Sequence, residues 1–210
     1  SVAISMADPL LDSTINIDGG INVCRAAIRS ECSQFVYVST GGALYGPPDY
    51  LPYDEKHPIR PVSSYGLSKW TLECYLKMLL PSTVQLSVLR LANVYGPRQD
   101  PAGETGVVSI FGSRMLQGKQ VTIFGDGEQT RDFIFIADVV RAYGLALEAS
   151  EPVTVNISSE EAITVNELFG LMAAETYYTH PPMHEDDRSG EAKHVILSNA
   201  KAKRLLDWVP

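Results

Sequence analysis

The chain has 210 residues, 45% of them apolar, which is enough to bury a sizeable core and too much for a disordered chain. Lys and Arg total 17 against 25 Asp and Glu, and the resulting net charge of −8 excludes a nonspecific electrostatic grip on nucleic acid or anionic lipid. Cys24, Cys32 and Cys74 follow no metal-ligand spacing and are odd in number, so no disulfide framework is expected and a reducing cytoplasm fits best. No apolar run is long enough to span a membrane, and residues 1–20 lack the basic and apolar regions of a signal peptide.

Residues 9–30 predict a helix with Asp8 as N-cap ahead of Pro9. Gly19 and Gly20 interrupt it at about 1 kcal/mol each against alanine, so a packing neighbour or a ligand is expected close to that backbone. Phe35, Val36, Tyr37 and Val38 then read as a buried strand entering a turn at Ser39, Thr40, Gly41 and Gly42. A helix over 64–79 and a second apolar strand over 86–91 complete a parallel unit. Further on, 107–116 predicts helix, 121–124 and 133–136 strands, and 137–149 helix. Thr164 and Glu167 form a capping box, and Ser198 is placed to cap a last helix through Leu206. Alternating helices and near-continuous apolar strands predict an α/β protein with a doubly wound parallel sheet, its ligands at the carboxyl ends of the strands.

Tyr65 and Lys69 are the sharpest chemical signal, because a spacing of four on a helix puts phenol and ammonium on one face. An ammonium beside a phenol favours the phenolate, which turns a poor base into one able to take a proton from a substrate hydroxyl. The pair starts a helix downstream of the hydroxyl-bearing turn at Ser39 and Thr40. Chance pairs of this kind occur on many surface helices, so its setting carries the weight.

That setting consists of Asn16 and Asn22 with intervening glycines, the run from Ser39 to Tyr45 and Gly46, Tyr65 with Lys69, and the run Leu89, Arg90, Asn93, Tyr95, Gly96, Pro97, Arg98. It continues with Phe124, Gly125, Asp126, Gly127, Arg131, Asp132 and closes with Lys201, Leu205, Leu206, Trp208. In this order the chain resembles the extended short-chain dehydrogenases, in particular the nucleotide-sugar epimerase/dehydratase group that includes UDP-glucose 4-epimerases. The resemblance implies a Rossmann-type fold with a smaller α/β substrate lobe, NAD as cofactor, a nucleotide sugar as substrate and a homodimer formed through the helices at 9–30 and 64–80.

It also implies roles. Tyr65 would be the base, and Lys69 would hydrogen-bond the nicotinamide ribose as well, with Ser39 a further cofactor contact. Asn93 would reach the sugar nucleotide, and Arg131 and Arg188 would hold its diphosphate, for which forked guanidinium donors are suited. The alternative for Arg131 is a surface ion pair with Asp126. The hydroxyl position of the family falls on Gly41, which leaves Thr40, Ser39 or a water for that role. Dehydratases of the group carry an Asp-Glu pair where Gly41 and Gly42 stand, so epimerisation at C4 is expected over elimination.

No glycine-rich phosphate fingerprint between a strand and a helix occurs, so the first βαβ units of the family are expected to be missing and the chain truncated at both ends. These 210 residues alone are expected to fold and bind NAD poorly, and a noncatalytic fragment is the second hypothesis. Residues 1–95 and 131–150 are assigned to the cofactor domain, and 96–130 and 151–210 to the substrate lobe. His57 reads as a solvated loop residue. No metal site is assigned.

Overall fold

A computed structural model describes residues 2–101, 106–187 and 192–210. Its main layer is a parallel sheet of three strands in the order β1 (Gln34–Thr40), β2 (Gln85–Leu91) and β6 (Thr154–Ile157). Between the first two runs α4 (Ser64–Leu79), opened by the Ser63 hydroxyl accepting from Gly66 N at 3.1 Å. Side-chain alternation along the strands divides the core between the two faces. Tyr37 of β1 and Val88 of β2 meet Leu72 and Leu76 of α4 and Cys24 of α3 (Gly19–Arg29). On the opposite face Leu89, Val155 and Ile157 meet Val139, Ala142 and Ala146 of α6 (Ile136–Glu148). Helices thus cover both faces, as expected for a doubly wound fold of Rossmann type.

Past Ala92 the chain leaves this sheet, and β3 (Asn93–Tyr95) pairs in parallel with β5 (Thr130–Phe135), which pairs antiparallel with β7 (Ala162–Thr164). A smaller layer gathers α5 (Val107–Leu116), α7 (Val165–Thr176) and the parallel pair β4 (Thr122–Phe124) and β8 (Met183–Glu185) around Phe111, Met115, Val121, Ile123 and Tyr178. Both halves of the capping box at Thr164 and Glu167 are made.

Several expectations change. Residues 154–157 belong to the main sheet rather than to a separate lobe, because β6 pairs with β2. The final helix, α8 (Ala200–Leu206), and Trp208 also join that core, Trp208 Nε1 donating to Asp138 O at 2.9 Å. Asn199 occupies the N-cap of α8; the Ser198 hydroxyl bonds Glu160 at 2.7 Å and only brushes Ala200 N at 3.4 Å.

The helix over 9–30 is not uniform. Beyond α1 (Val2–Ala7), α2 (Pro9–Ser13) is capped by Asp8 accepting from Leu11 N, and one π-helical stretch, Thr14–Asp18, joins it to α3. Gly20 answers to a packing neighbour: a Cβ there would stand 2.1 Å from Leu72 Cδ2. Among the described residues no helix is long and apolar enough to cross a membrane.

Candidate active site

A cavity of about 1040 Å³ opens at the carboxyl ends of β1 and β2, between the main sheet and the smaller layer. Thr40, Tyr65, Asn93 and Arg131 all line it, so four residues chosen from four separate motifs meet in one cleft. Each is delivered by the end of an element: Thr40 closes β1, Asn93 opens β3, Arg131 lies in β5 and Tyr65 sits in the first turn of α4. Arg188, the second expected diphosphate ligand, lies outside the described residues.

Lys69 stands one turn along α4 from Tyr65, and its Nζ donates to Val38 O at 2.7 Å while lying 4.5 Å from the centre of the Tyr37 ring. Burial pushes its ammonium down to about 8, against the opposing pull of the Glu73 and Asp12 carboxylates. Two other phenols near the site are held neutral. Burial raises Tyr37 above the usual tyrosine range, and raises Tyr45 to about 12 although Arg90 pulls it the other way. Neither competes with Tyr65 as a base near neutral pH.

The hydroxyl turn resolves by the direction of its side chains. Ser39 does not reach the cleft: it is 3% exposed and donates to Glu73 Oε1 at 2.6 Å, beneath the sheet surface. The hydroxyl expected to contact the cofactor is thus bonded inside the fold to Glu73. The cause is alternation, since residue 39 shares the α4-facing side of β1 with Tyr37. Position 41 must stay bare, because a Cβ on Gly41 would stand 2.3 Å from Cδ1 of the fully buried Leu197. Of the turn's hydroxyls, that of Thr40 is left at the cleft wall, accepting from Ala43 N at 3.3 Å.

Arg131 donates from Nη1 to Thr130 O at 2.9 Å and to Lys193 O at 3.2 Å, contacts that aim the guanidinium along the cleft rim. His57 is a correction. It is 2% exposed, stacked edge-on against Tyr45, Tyr50 and Tyr53, with Nε2 accepting from Asp49 N and Nδ1 on Pro58 O. Both ring nitrogens are committed to the backbone, so His57 fixes the 49–58 loop rather than moving protons.

Sequence reasoning missed Glu73, Arg90 and Asp12. Arg90 carried a legible signal, since an arginine in the middle of an apolar strand requires a buried anionic partner. Asp12 carried none, because a carboxylate in an amphipathic helix reads as solvated.

Compared with known proteins, residues 1–158 match the model of the NAD dependent epimerase/dehydratase family. A putative UDP-glucose 4-epimerase of Methanocaldococcus jannaschii is 41% identical over 211 residues, covering all of this chain and 68% of that protein. The UDP-glucose 4-epimerase of Thermotoga maritima, solved with UDP-glucose, superposes on the whole chain and 69% of its own length with a TM-score of 0.96 at 43% identity. That of Thermus thermophilus, solved with NAD, does so over the whole chain and 69% of its own length with a TM-score of 0.92 at 36% identity. Motif order, the shared cleft and these likenesses agree, and the chain belongs to the NAD-dependent epimerase/dehydratase family.

Proposed function

We propose that the protein interconverts the C4 epimers of a nucleotide sugar, with UDP-glucose and UDP-galactose as the pair, and that it works with NAD. The observation that carries this reading is the meeting of Tyr65, Thr40, Asn93 and Arg131 in one cleft. Relatives named for that reaction, one of them solved with UDP-glucose and another with NAD, support the choice of substrate and cofactor.

The residues present fit the cofactor's reactive end. Lys69 has three N–H donors, and with Val38 O taking one, the ammonium would have donors left for the hydroxyls of the cofactor's ribose. When bound, NAD supplies a hydride acceptor and donor, so that a sugar carbon can be oxidised and then reduced. The chain's own residues handle the proton and the geometry. Tyr65 takes the proton of the sugar 4-hydroxyl and later returns it, with Lys69 lowering the cost of the phenolate. Thr40 holds that hydroxyl toward Tyr65, Asn93 steadies the sugar, and Arg131 and Arg188 hold the diphosphate. Epimerisation follows when the 4-keto sugar turns its other face before reduction. Gly41 and Gly42 supply no acid–base pair for elimination, which favours this outcome over dehydration.

The substrate lies between the two layers, with the cofactor domain assigned to 1–95 and 131–150 together with β6 and α8. The remainder forms the substrate lobe. A second copy of the chain covers α2, the π-helical stretch, α3 and α4, where Leu10, Ile15, Val23, Leu67 and Met78 are each more than half exposed. We place the protein in the cytoplasm, in keeping with three free cysteines.

The test is conversion of UDP-galactose to UDP-glucose by the full chain with a catalytic amount of NAD. Tyr65→Phe is expected to lower kcat by at least about 100-fold. A wild-type chain that binds NAD and leaves UDP-galactose unchanged overturns the reading.

A further inference from the structure

Directly beneath the cleft, a row of polar side chains crosses the parallel sheet. Ser39 of β1 stands in register with Arg90 of β2, and Arg90 in register with Asn156 of β6. None is more than 3% exposed, and Glu73 of α4, fully buried, lies across them. Glu73 Oε1 accepts from Ser39 Oγ at 2.6 Å and from Arg90 Nε at 3.2 Å, while Oε2 accepts from Arg90 Nη2 at 2.8 Å. Arg90 Nη1 donates to the Tyr45 hydroxyl at 3.1 Å, which donates to Asn156 Oδ1 at 2.7 Å, and Asn156 Nδ2 donates to Tyr53 O at 3.0 Å.

Two features set this network apart from an ordinary buried ion pair. First, it grips both ends of the turn that carries Thr40: Ser39 precedes Thr40 in the chain, and Tyr45 closes the turn. Second, Glu73 continues the helical face that presents Tyr65 and Lys69, at successive spacings of four on α4. The groups recorded against the Lys69 ammonium are Glu73 from its own helix, Asp12 from α2 and the Tyr37 ring from β1.

We propose that Glu73 is a positioning residue: its carboxylate anchors Ser39, and with it the turn presenting Thr40, while its charge, one helical turn away, steadies the ammonium of Lys69 beside Tyr65. Hydroxyl, phenol and ammonium are thereby fixed to one rigid frame made of β1 and α4. A buried carboxylate that accepts three hydrogen bonds suits this task because turning it away would leave buried donors unsatisfied. This inference rests on the epimerase reading for its kinetic consequences, and its electrostatic half is measurable without turnover.

Two variants of the full chain separate the halves. Ser39→Ala cuts the anchor and leaves the charge, and is expected to lower kcat about tenfold through misplacement of Thr40, with KM and the alkaline limb of the pH profile unmoved. Glu73→Gln preserves size and a hydrogen bond to Ser39 but removes the charge. It is expected to lower the titration midpoint of Lys69 from about 8 by about one unit, and to draw the alkaline limb of kcat down with it. Competitive acetylation of Lys69 across pH, read by mass spectrometry, reports that midpoint in the absence of substrate. A Ser39→Ala enzyme with wild-type kcat, or a Lys69 midpoint unchanged in Glu73→Gln, overturns the proposal. If the wild-type chain turns over no sugar while the Lys69 midpoint still moves, the epimerase reading fails and the electrostatic role of Glu73 stands.

Discussion

Asp132 is fully buried at the junction of β5 with two loops, and its oxygens accept from Ser159 N at 3.0 Å, Ser159 Oγ at 2.8 Å and Leu197 N at 3.2 Å. These bonds favour the carboxylate, but burial outweighs them and raises the group from 3.8 to about 6. Between those values the folded state holds more proton than the unfolded chain, so stability falls as pH rises from about 4 to 6. Two units correspond to about 3 kcal/mol, absent below pH 4 and fully felt above pH 6. In Asp132→Asn that slope is expected to vanish, while an amide with a single acceptor oxygen leaves a backbone N–H unpaired and costs about 1–3 kcal/mol at low pH. Urea unfolding of both proteins at pH 4, 5, 6 and 7 checks this. An unchanged difference between them across the range sinks it. The loop that Asp132 fixes carries Leu197, the side chain that keeps position 41 a glycine, so one buried charge bears on the shape of the cleft.

At the scale of elements, the close approach of α3 to α4 depends on Gly20. A methyl there would overlap Leu72 Cδ2 at 2.1 Å, and Leu72 is itself 4% exposed, with little room to turn. Gly20→Ala is expected to lose about 1–3 kcal/mol through overpacking, in excess of the about 1 kcal/mol gained in helix propensity. The double variant Gly20→Ala with Leu72→Ala is expected to recover part of that loss, which thermal melts of the single and double variants measure. Recovery at the level of additivity would mean that the two do not touch. The same pair shows what the sequence could and could not convey. Two glycines inside an apolar helical pattern announce a close neighbour, yet the neighbour sits 52 positions away and no local pattern names it. Strands and helices with strong periodicity, such as β2 and α5, were legible to within a residue. The short strands β3, β7 and β8 were not, because three residues hold no period and their pairing is set by distant partners. In the site, Tyr65, Asn93 and Arg131 were legible from their motifs; the inward turn of Ser39 needed the register of β1 against β2 and α4.

Over the whole molecule, the apolar surface is unevenly distributed. Leu10 and Leu11 on α2, Ile15 in the π-helical stretch and Val23 on α3 are between 46% and 75% exposed, and Leu67 and Met78 of the adjoining α4 are 55% and 69% exposed. The hydrophobic core beneath α3 and α4 is complete without them, since Cys24, Leu72 and Leu76 already fill the space against the sheet. Their outward stripe suits a partner that is itself apolar, and in the dimer proposed above a second copy of the same face would supply one through a two-fold axis. Leu10 and Leu67 replaced together by Glu would put four like charges into such an interface, and desolvating them without counter-ions is prohibitive. In the full chain this double substitution is expected to convert dimers to monomers in sedimentation velocity while leaving the far-ultraviolet spectrum unchanged. A wild-type chain that sediments as a monomer would assign the stripe to some other contact. A dimer indifferent to the substitution would move the interface to another face. Because Ser5 of the neighbouring α1 receives the backbone N–H of Tyr65 at 3.0 Å, and Asp12 of α2 acts on Lys69, the α1–α2 layer braces the start of α4 beside the cleft. Loss of the dimer is accordingly expected to lower kcat as well, and a fully active monomer would show that α1 and α2 hold their places without a second copy.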